Sequence, residues 1–291
     1  MSPAVALRLG RVSNLPTVWT NALAGVALAG GEPWQRATLV VILALSLFYV
    51  GGMYLNDAFD REIDARERPA RPIPAGLVRA EIVFVAGFAM LLAGLAAILP
   101  AARLAGAGGA GGGLAAGAAL GGAIVLYDWH HKGNPLSPLL MGACRVLAYL
   151  TAGVAVAGAV PPALLAAAGV ALCYLVGLTY IAKQETLGRV ANLWPLLFLA
   201  APLPYGMAAL PEGGPLAAAL LLALLAWIAA ALWLLWRRAP GDIPRAVVGL
   251  IAGIALLDAL FLAGKGQAAA ALLGVLCFAA TLALQRWVSG T

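Results

Sequence analysis

Oxygen-bearing side chains recur at every fourth position in one stretch of this chain, NDAFDREIDARERPARPIP, which begins at Asn56 and ends at Pro74. Asn56, Asp60 and Asp64 are spaced i, i+4, i+8, so a helix continuing through them stacks the three side chains on one face. Such a column suits a hard cation such as Mg²⁺, which takes few protein ligands and completes its shell with water and phosphate oxygens. The same stretch holds five of the twelve acids, Asp57, Asp60, Glu62, Asp64 and Glu67, and four of the eighteen bases, Arg61, Arg66, Arg68 and Arg71. Pairs at i,i+4 are available to hold the helix: Asp57 with Arg61, Glu62 with Arg66, Asp64 with Arg68 and Glu67 with Arg71. Pro69 is expected to end the helix, and Pro69, Pro72 and Pro74 bias the next residues to an extended path, with Arg71 on a fixed turn beside the acids. A solvated loop between two membrane helices would also gather mixed charge. It does not require an Asn and two Asp in four-residue register ahead of RPARPIP.

The elements that must position these groups are membrane helices. The chain has 291 residues, 63% of them hydrophobic and 10% charged, with a mean hydropathy of +0.96; a soluble globule carries nearer a quarter charged. The net charge of +6 comes from bases scattered between apolar runs, without the basic patch and interleaved aromatics of a nucleic-acid binder. Cys144, Cys173 and Cys277 lie inside apolar runs without metal or redox spacing and read as packing residues. The first apolar run begins after Pro16 and leads into further spans, so no cleaved secretory signal is expected. Heavy use of Ala, Leu, Gly and Arg points to a GC-rich bacterial genome and a cytoplasmic membrane.

Apolar runs cover about 17–31, 37–55, 80–99, a fourth ending near Tyr127, then 139–159, 162–182, 193–210, 216–236, 243–263 and 268–288. The expected fold is one all-α domain over 1–291, a polytopic bundle of nine to ten transmembrane helices around a central lipid-facing cavity. Residues 1–16, with Arg8 and Arg11, read as a short interfacial helix. Gly113, Gly117 and Gly121, four apart, favour close helix packing over phosphate binding. Asn21 either bonds a neighbouring helix or lines a substrate cavity. Arg145 either snorkels or faces a polar cavity, and Asp258 is a functional or helix-pairing group with Arg145 as a conceivable partner. His130 and His131 are adjacent, which does not suit one zinc ion. With ten spans and both ends inside, only Arg36, Arg103 and Lys265 of the eighteen bases fall outside, a positive-inside bias that puts the acidic stretch, Lys132 and Lys183 on the cytoplasmic face.

NxxxDxxxD followed by RPxRPIP resembles the first aspartate-rich motif of the UbiA superfamily of intramembrane prenyltransferases. The resemblance implies that Asn56, Asp60 and Asp64 hold Mg²⁺ on an isoprenoid diphosphate donor, with transfer of the isoprenyl group to a hydrophobic acceptor, aromatic or lipid-like. It implies a diphosphate contact for Lys132, in the connection after Tyr127, which matches the family loosely. Asp60, Asp64 and Lys132 are then the catalytic set, with Asn21, Arg71, Arg145, Lys183, Glu185 and Arg189 as substrate-binding candidates. The family's second aspartate motif comes after its sixth span, where this chain reads KQETLGR with Glu185 as the only acid. Either Lys183 and Arg189 supply the charge of a second metal, which we favour, or the protein binds or transports an isoprenoid or other lipid without transferring it.

Overall fold

The computed structural model describes residues 1–106, 108–184 and 192–290, and among these every regular element is helical. The helices are α1 (Pro3–Leu9), α2 (Leu15–Leu28), α3 (Arg36–Phe59), α4 (Arg61–Glu67), α5 (Ala80–Ala105), α6 (Ala110–His130), α7 (Ser137–Ala157), α8 (Pro162–Lys183), α9 (Pro202–Arg237), α10 (Asp242–Ala263) and α11 (Ala268–Leu284). Among the described residues, seven helical segments are long and apolar enough to cross a membrane. Each residue of an α-helix rises 1.5 Å, so the 24 residues of α3 span roughly 36 Å, enough for a hydrocarbon layer about 30 Å thick.

The segment Trp194–Arg237 has 44 residues, about twice the length a crossing needs. It folds back at Gly214, whose φ of 57° and ψ of −148° no helix contains. A Cβ at Gly206 would lie 2.9 Å from Leu221 Cδ2 on the returning arm, so the two arms pack against each other. Pro211 and Pro215 flank the break, where the missing N–H groups weaken the helix on both sides.

Small residues set how closely the helices that carry the site approach. A Cβ at Gly87 of α5 would sit 2.7 Å from Leu55 Cγ, and one at Gly94 would sit 2.9 Å from the Ala44 carbonyl. α3 is thereby seated on α5 along its length, up to the residue before Asn56. A Cβ at Gly25 of α2 would lie 2.7 Å from the Tyr149 carbonyl of α7, which brings Asn21 and Arg145 to one crossing. The glycines of α6 pack as their spacing predicts, but against three different helices: Gly113 on Ala155 of α7, Gly117 on Leu95 and Ile98 of α5, Gly121 on Phe48 of α3.

Among the described residues the core falls into three apolar clusters. One joins α2 to α7, α8, α9, α10 and α11. A second joins α2, α3, α5, α6 and α7. A third seats Val5 and Leu9 of α1 on Tyr54, Ala58, Val78 and Val83. The N-terminal segment, expected to lie on the membrane surface, is therefore docked on protein, and Tyr54 Oη donates to the Ala6 carbonyl at 3.2 Å. Leu39, Leu43, Val85, Leu92, Leu222 and Leu276 point outward from the bundle, as side chains facing lipid do.

Candidate active site

α3 carries its helical register into the acidic stretch. The Asp60 N–H donates to the Asn56 carbonyl at 3.0 Å and the Asp64 N–H to the Asp60 carbonyl at 2.8 Å, so the four-residue spacing survives the boundary between α3 and α4. Asn56, Asp60 and Asp64 are all buried, and so is Asp57.

Their partners differ from the expected ones. None of the four i,i+4 ion pairs forms among the described residues. Arg71 instead reaches back across the turn, with Nη1 at 2.7 Å from Asp64 Oδ2 and 3.2 Å from Asp57 Oδ1. Arg11 enters from the N-terminal segment, with Nη2 at 3.0 Å from Asp57 Oδ1 and 3.4 Å from Asn56 Oδ1. The Asn56 amide donates to Asp128 Oδ1 of α6 at 3.2 Å. These contacts link Asp64, Arg71, Asp57, Arg11, Asn56 and Asp128 in one series. The i,i+4 geometry loses because bases arriving from other segments meet buried acids in a drier setting, where each charge pair is worth more than on a wetted helix face.

Asp60 has its own partners, His131 Nε2 at 3.4 Å and Lys132 Nζ at 3.5 Å. Burial raises the Asp60 carboxyl, but the hydrogen bond to His131 and the charge of its basic neighbours outweigh it, holding the group below its ordinary range. His131 is fixed by stacking on Tyr127, with ring centroids 4.8 Å apart. The proline-rich stretch after Pro69 does not extend. It coils through successive turns, with Arg71 N–H to the Arg68 carbonyl at 3.0 Å and Ala75 N–H to the Arg71 carbonyl at 2.9 Å. Arg8 Nη2 pins this coil through the Ala70 carbonyl at 3.2 Å. Each proline removes a donor, and the remaining N–H groups close short turns around Arg71.

Directly beneath lies a cavity of about 120 Å³ between α2, α3, α6, α7 and α8. Leu45, Phe48, Leu120, Ile124, Met141 and Leu175 make its walls apolar. Asp128 stands at the end adjoining Asn56, and Asn21 and Arg145 line it deeper in the bundle. Arg145 Nη1 donates to the Thr17 carbonyl at 3.2 Å and to Asn21 Oδ1 at 3.3 Å. Asp258 does not take Arg145 as its partner. It accepts from Thr20 Oγ1 at 2.5 Å and from Tyr149 Oη, tying α10 to α2 and α7 as a helix-pairing group.

Of the residues expected to share a site, Asn56, Asp60, Asp64, Arg71 and Lys132 come together, and Asn21 and Arg145 meet in the adjoining cavity. Lys183 stays apart from the acids, although it lies at the same end of the bundle. Its Nζ donates to the Asn134 carbonyl at 2.7 Å and Ser137 Oγ at 2.9 Å, bracing the connection that carries His131 and Lys132. Glu185 and Arg189 lie outside the described residues. Sequence reasoning does not single out Asp57, Arg11, His131 or Asp128 as site residues. Asp128 left a signal, an acid in the last turn of α6, where the helix dipole disfavours it. Arg11 left none, since only the docking of α1 brings it there.

A model of the UbiA prenyltransferase family matches residues 17–254. Over 289 residues the chain is 29% identical to a digeranylgeranylglyceryl phosphate synthase of Methanopyrus kandleri, covering 95% of this chain and 98% of that protein. A shorter stretch of 89 residues is 35% identical to the synthase of the same name from Methanothrix thermoacetophila, covering 30% of this chain and 33% of that one. In fold, the chain is similar to a UbiA homologue from Aeropyrum pernix K1, with a TM-score of 0.66 at 19% identity over 87% of this chain and 96% of that structure. A family match over most of the length, on an all-helical membrane bundle, means that this chain belongs to the UbiA prenyltransferase family and is a membrane-bound prenyltransferase.

Proposed function

We propose that the chain transfers an isoprenyl group from an isoprenoid diphosphate to a hydrophobic acceptor, with Mg²⁺ as cofactor and the site on the cytoplasmic face of the membrane. One observation carries this reading: an apolar cavity ends against a buried set of carboxylates and bases, with Asp128 lining the cavity and bonded to Asn56. An isoprenoid diphosphate has the same division, a hydrocarbon tail joined to a polyanionic head. The distribution of Lys and Arg supports the cytoplasmic orientation.

The residues present fit a hard divalent cation. Asn56, Asp57, Asp60, Asp64 and Asp128 offer only hard oxygen acceptors and amide groups, and Asp128 Oδ2 is buried without a hydrogen-bond partner among the described residues. Asn56, Asp60 and Asp64 would hold the ion. When bound, Mg²⁺ supplies Lewis-acid neutralisation of the diphosphate. Arg71 and Lys132, which neutralise Asp57, Asp64 and Asp60 here, are the side chains available to grip phosphate oxygens. Their positive charge favours departure of diphosphate from the allylic carbon. Leu45, Phe48, Leu120 and Ile124 keep water from the carbon that must meet the acceptor. The hydrocarbon tail runs along these walls toward lipid.

Purified protein in lipid nanodiscs, given radiolabelled isoprenoid diphosphate and candidate acceptors, should form a prenylated product. The same preparation in proteoliposomes should not move unmodified isoprenoid across the bilayer. Movement without product would favour the lipid-transport alternative.

A further inference from the structure

Arg11 reaches the polar site from a left-handed backbone, with φ 41° and ψ 47°. A residue with a Cβ adopts that conformation at a cost, and keeps it where its surroundings hold it from both sides. On one side, Val5 and Leu9 of α1 are seated on Tyr54 and Ala58, and a Cβ at Gly10 would lie 3.1 Å from Val50 Cγ1. On the other, the Asn14 N–H donates to the Arg11 carbonyl at 3.1 Å, and Tyr49 Oη donates to the same oxygen at 3.2 Å.

Asn14 is itself held from the far end of the sequence. Its Nδ2 donates to the Gly290 carbonyl at 3.0 Å, and its Oδ1 accepts from Gln285 Nε2 at 2.9 Å. Asn14 and Gly290 are buried, and a Cβ at Gly290 would lie 2.7 Å from Asn14 Oδ1 and 3.0 Å from Gln285 Nε2. Both ends of the Asn14 amide are therefore committed, and the side chain cannot turn without breaking both bonds. A clasp that only closed the bundle would need no strained residue beside it. This one adjoins an arginine whose Nη2 lies 3.0 Å from Asp57 Oδ1 and 3.4 Å from Asn56 Oδ1. The longer contact is near the limit of a hydrogen bond, so a shift of a few tenths of an ångström in the Arg11 backbone would break it.

We propose that the segment after α11, acting through Gln285 and the Gly290 carbonyl, is a positioning element of the donor site. It locks Asn14, Asn14 locks the Arg11 turn, and Arg11 keeps Asn56 and Asp57 in place for the metal and the diphosphate. This rests on the donor-site reading above.

Binding of a non-hydrolysable isoprenoid thiodiphosphate to protein in nanodiscs, at saturating Mg²⁺, tests the coupling. Gln285→Leu removes one bond of the clasp while keeping side-chain bulk, and Gly290→Ala presses a methyl group against Asn14 Oδ1. Each should weaken thiodiphosphate binding by about fivefold, the worth of one well-placed hydrogen bond. Each should also speed amide hydrogen exchange across residues 11–14. Arg11→Lys keeps the charge on a flexible stem that no longer transmits the exact placement of its backbone. Combined with Arg11→Lys, either clasp variant should change binding by less than about twofold. A clasp that serves only stability would lower Tm and leave thiodiphosphate affinity as it is, or would weaken binding equally with and without Arg11→Lys. Either result would overturn the proposal, as would unchanged exchange at residues 11–14 in both clasp variants. Failure of wild-type protein to bind the thiodiphosphate would instead overturn the donor site.

Discussion

Arg71 is held by two acids, but only one of them depends on it. Its Nη1 lies 2.7 Å from Asp64 Oδ2 and 3.2 Å from Asp57 Oδ1; Asp57 keeps Arg11 at 3.0 Å, whereas Asp64 has no other ion pair among the described residues. Replacing Arg71 by Gln therefore leaves Asp64, with a side chain 2% exposed, as a buried carboxylate without a counter-ion. Removing one partner of a buried pair typically costs about 3–5 kcal/mol. Arg71 is 16% exposed, so water recovers part of this and we expect the low end, about 3 kcal/mol. For a chain of this size that corresponds to a fall of roughly 6–12 °C in Tm. Adding Asp64→Asn to Arg71→Gln should restore most of the loss, because the penalty resides in the unpaired charge and not in missing contact. Mg²⁺ should also raise the Tm of Arg71→Gln more than that of wild type, since the ion no longer competes with a guanidinium for Asp64. Intrinsic Trp fluorescence during thermal unfolding in nanodiscs reads all three. A single variant melting within about 2 °C of wild type, or a double variant no better than the single one, would mean that Arg71 does not neutralise a buried Asp64 charge.

Three further perturbations separate site from scaffold. Asp60 is held below its ordinary range, so its contribution to stability is present above the unfolded carboxylate value of about 3.9 and is lost as pH falls through the lower folded value. Melts of wild type and Asp60→Asn should differ at neutral pH and converge below about pH 4; a gap that widens on acidification would contradict the assignment. Asp258→Ala strands Thr20 and Tyr149 in the core, each loss being worth about 1–3 kcal/mol, and should lower Tm without changing the Mg²⁺ concentration needed for donor binding. Gly87→Val sets a side chain where even a single added Cβ would lie 2.7 Å from Leu55 Cγ. It should reduce both stability and donor affinity by separating α3 from α5 next to Asn56, and unchanged donor affinity measured by thiodiphosphate binding would detach the motif from that packing.

How far the sequence reaches depends on the length scale of the interaction. The apolar runs locate helices because hydropathy over eighteen or more residues is a strong local signal, and the column from Asn56 to Asp64 is legible because helical periodicity acts within one element. The prolines place Arg71 beside the acids, although they coil the chain where extension is expected. The choice of ion partners is not legible, since Arg11 and Arg71 reach Asp57 only after α1 docks and the coil closes. Asp128 is bonded to Asn56 across 72 positions, a pairing that only the packing of α6 against α3 creates. Asp258 shows the converse. Its cost inside a membrane helix marks it as special, but its role in joining α10 to α2 and α7 emerges only from its neighbours.

Asn56, Asp60 and Asp64 are proposed to hold a divalent cation that in turn holds a diphosphate. Binding of a non-hydrolysable isoprenoid thiodiphosphate to nanodisc-embedded protein, titrated with Mg²⁺ in wild type and Asp60→Ala, tests this directly. Wild-type binding should be tight, rise with Mg²⁺ and disappear in EDTA, and it should be lost in the variant at every Mg²⁺ concentration. Binding of equal strength in EDTA, or indifferent to Asp60→Ala, would contradict that assignment.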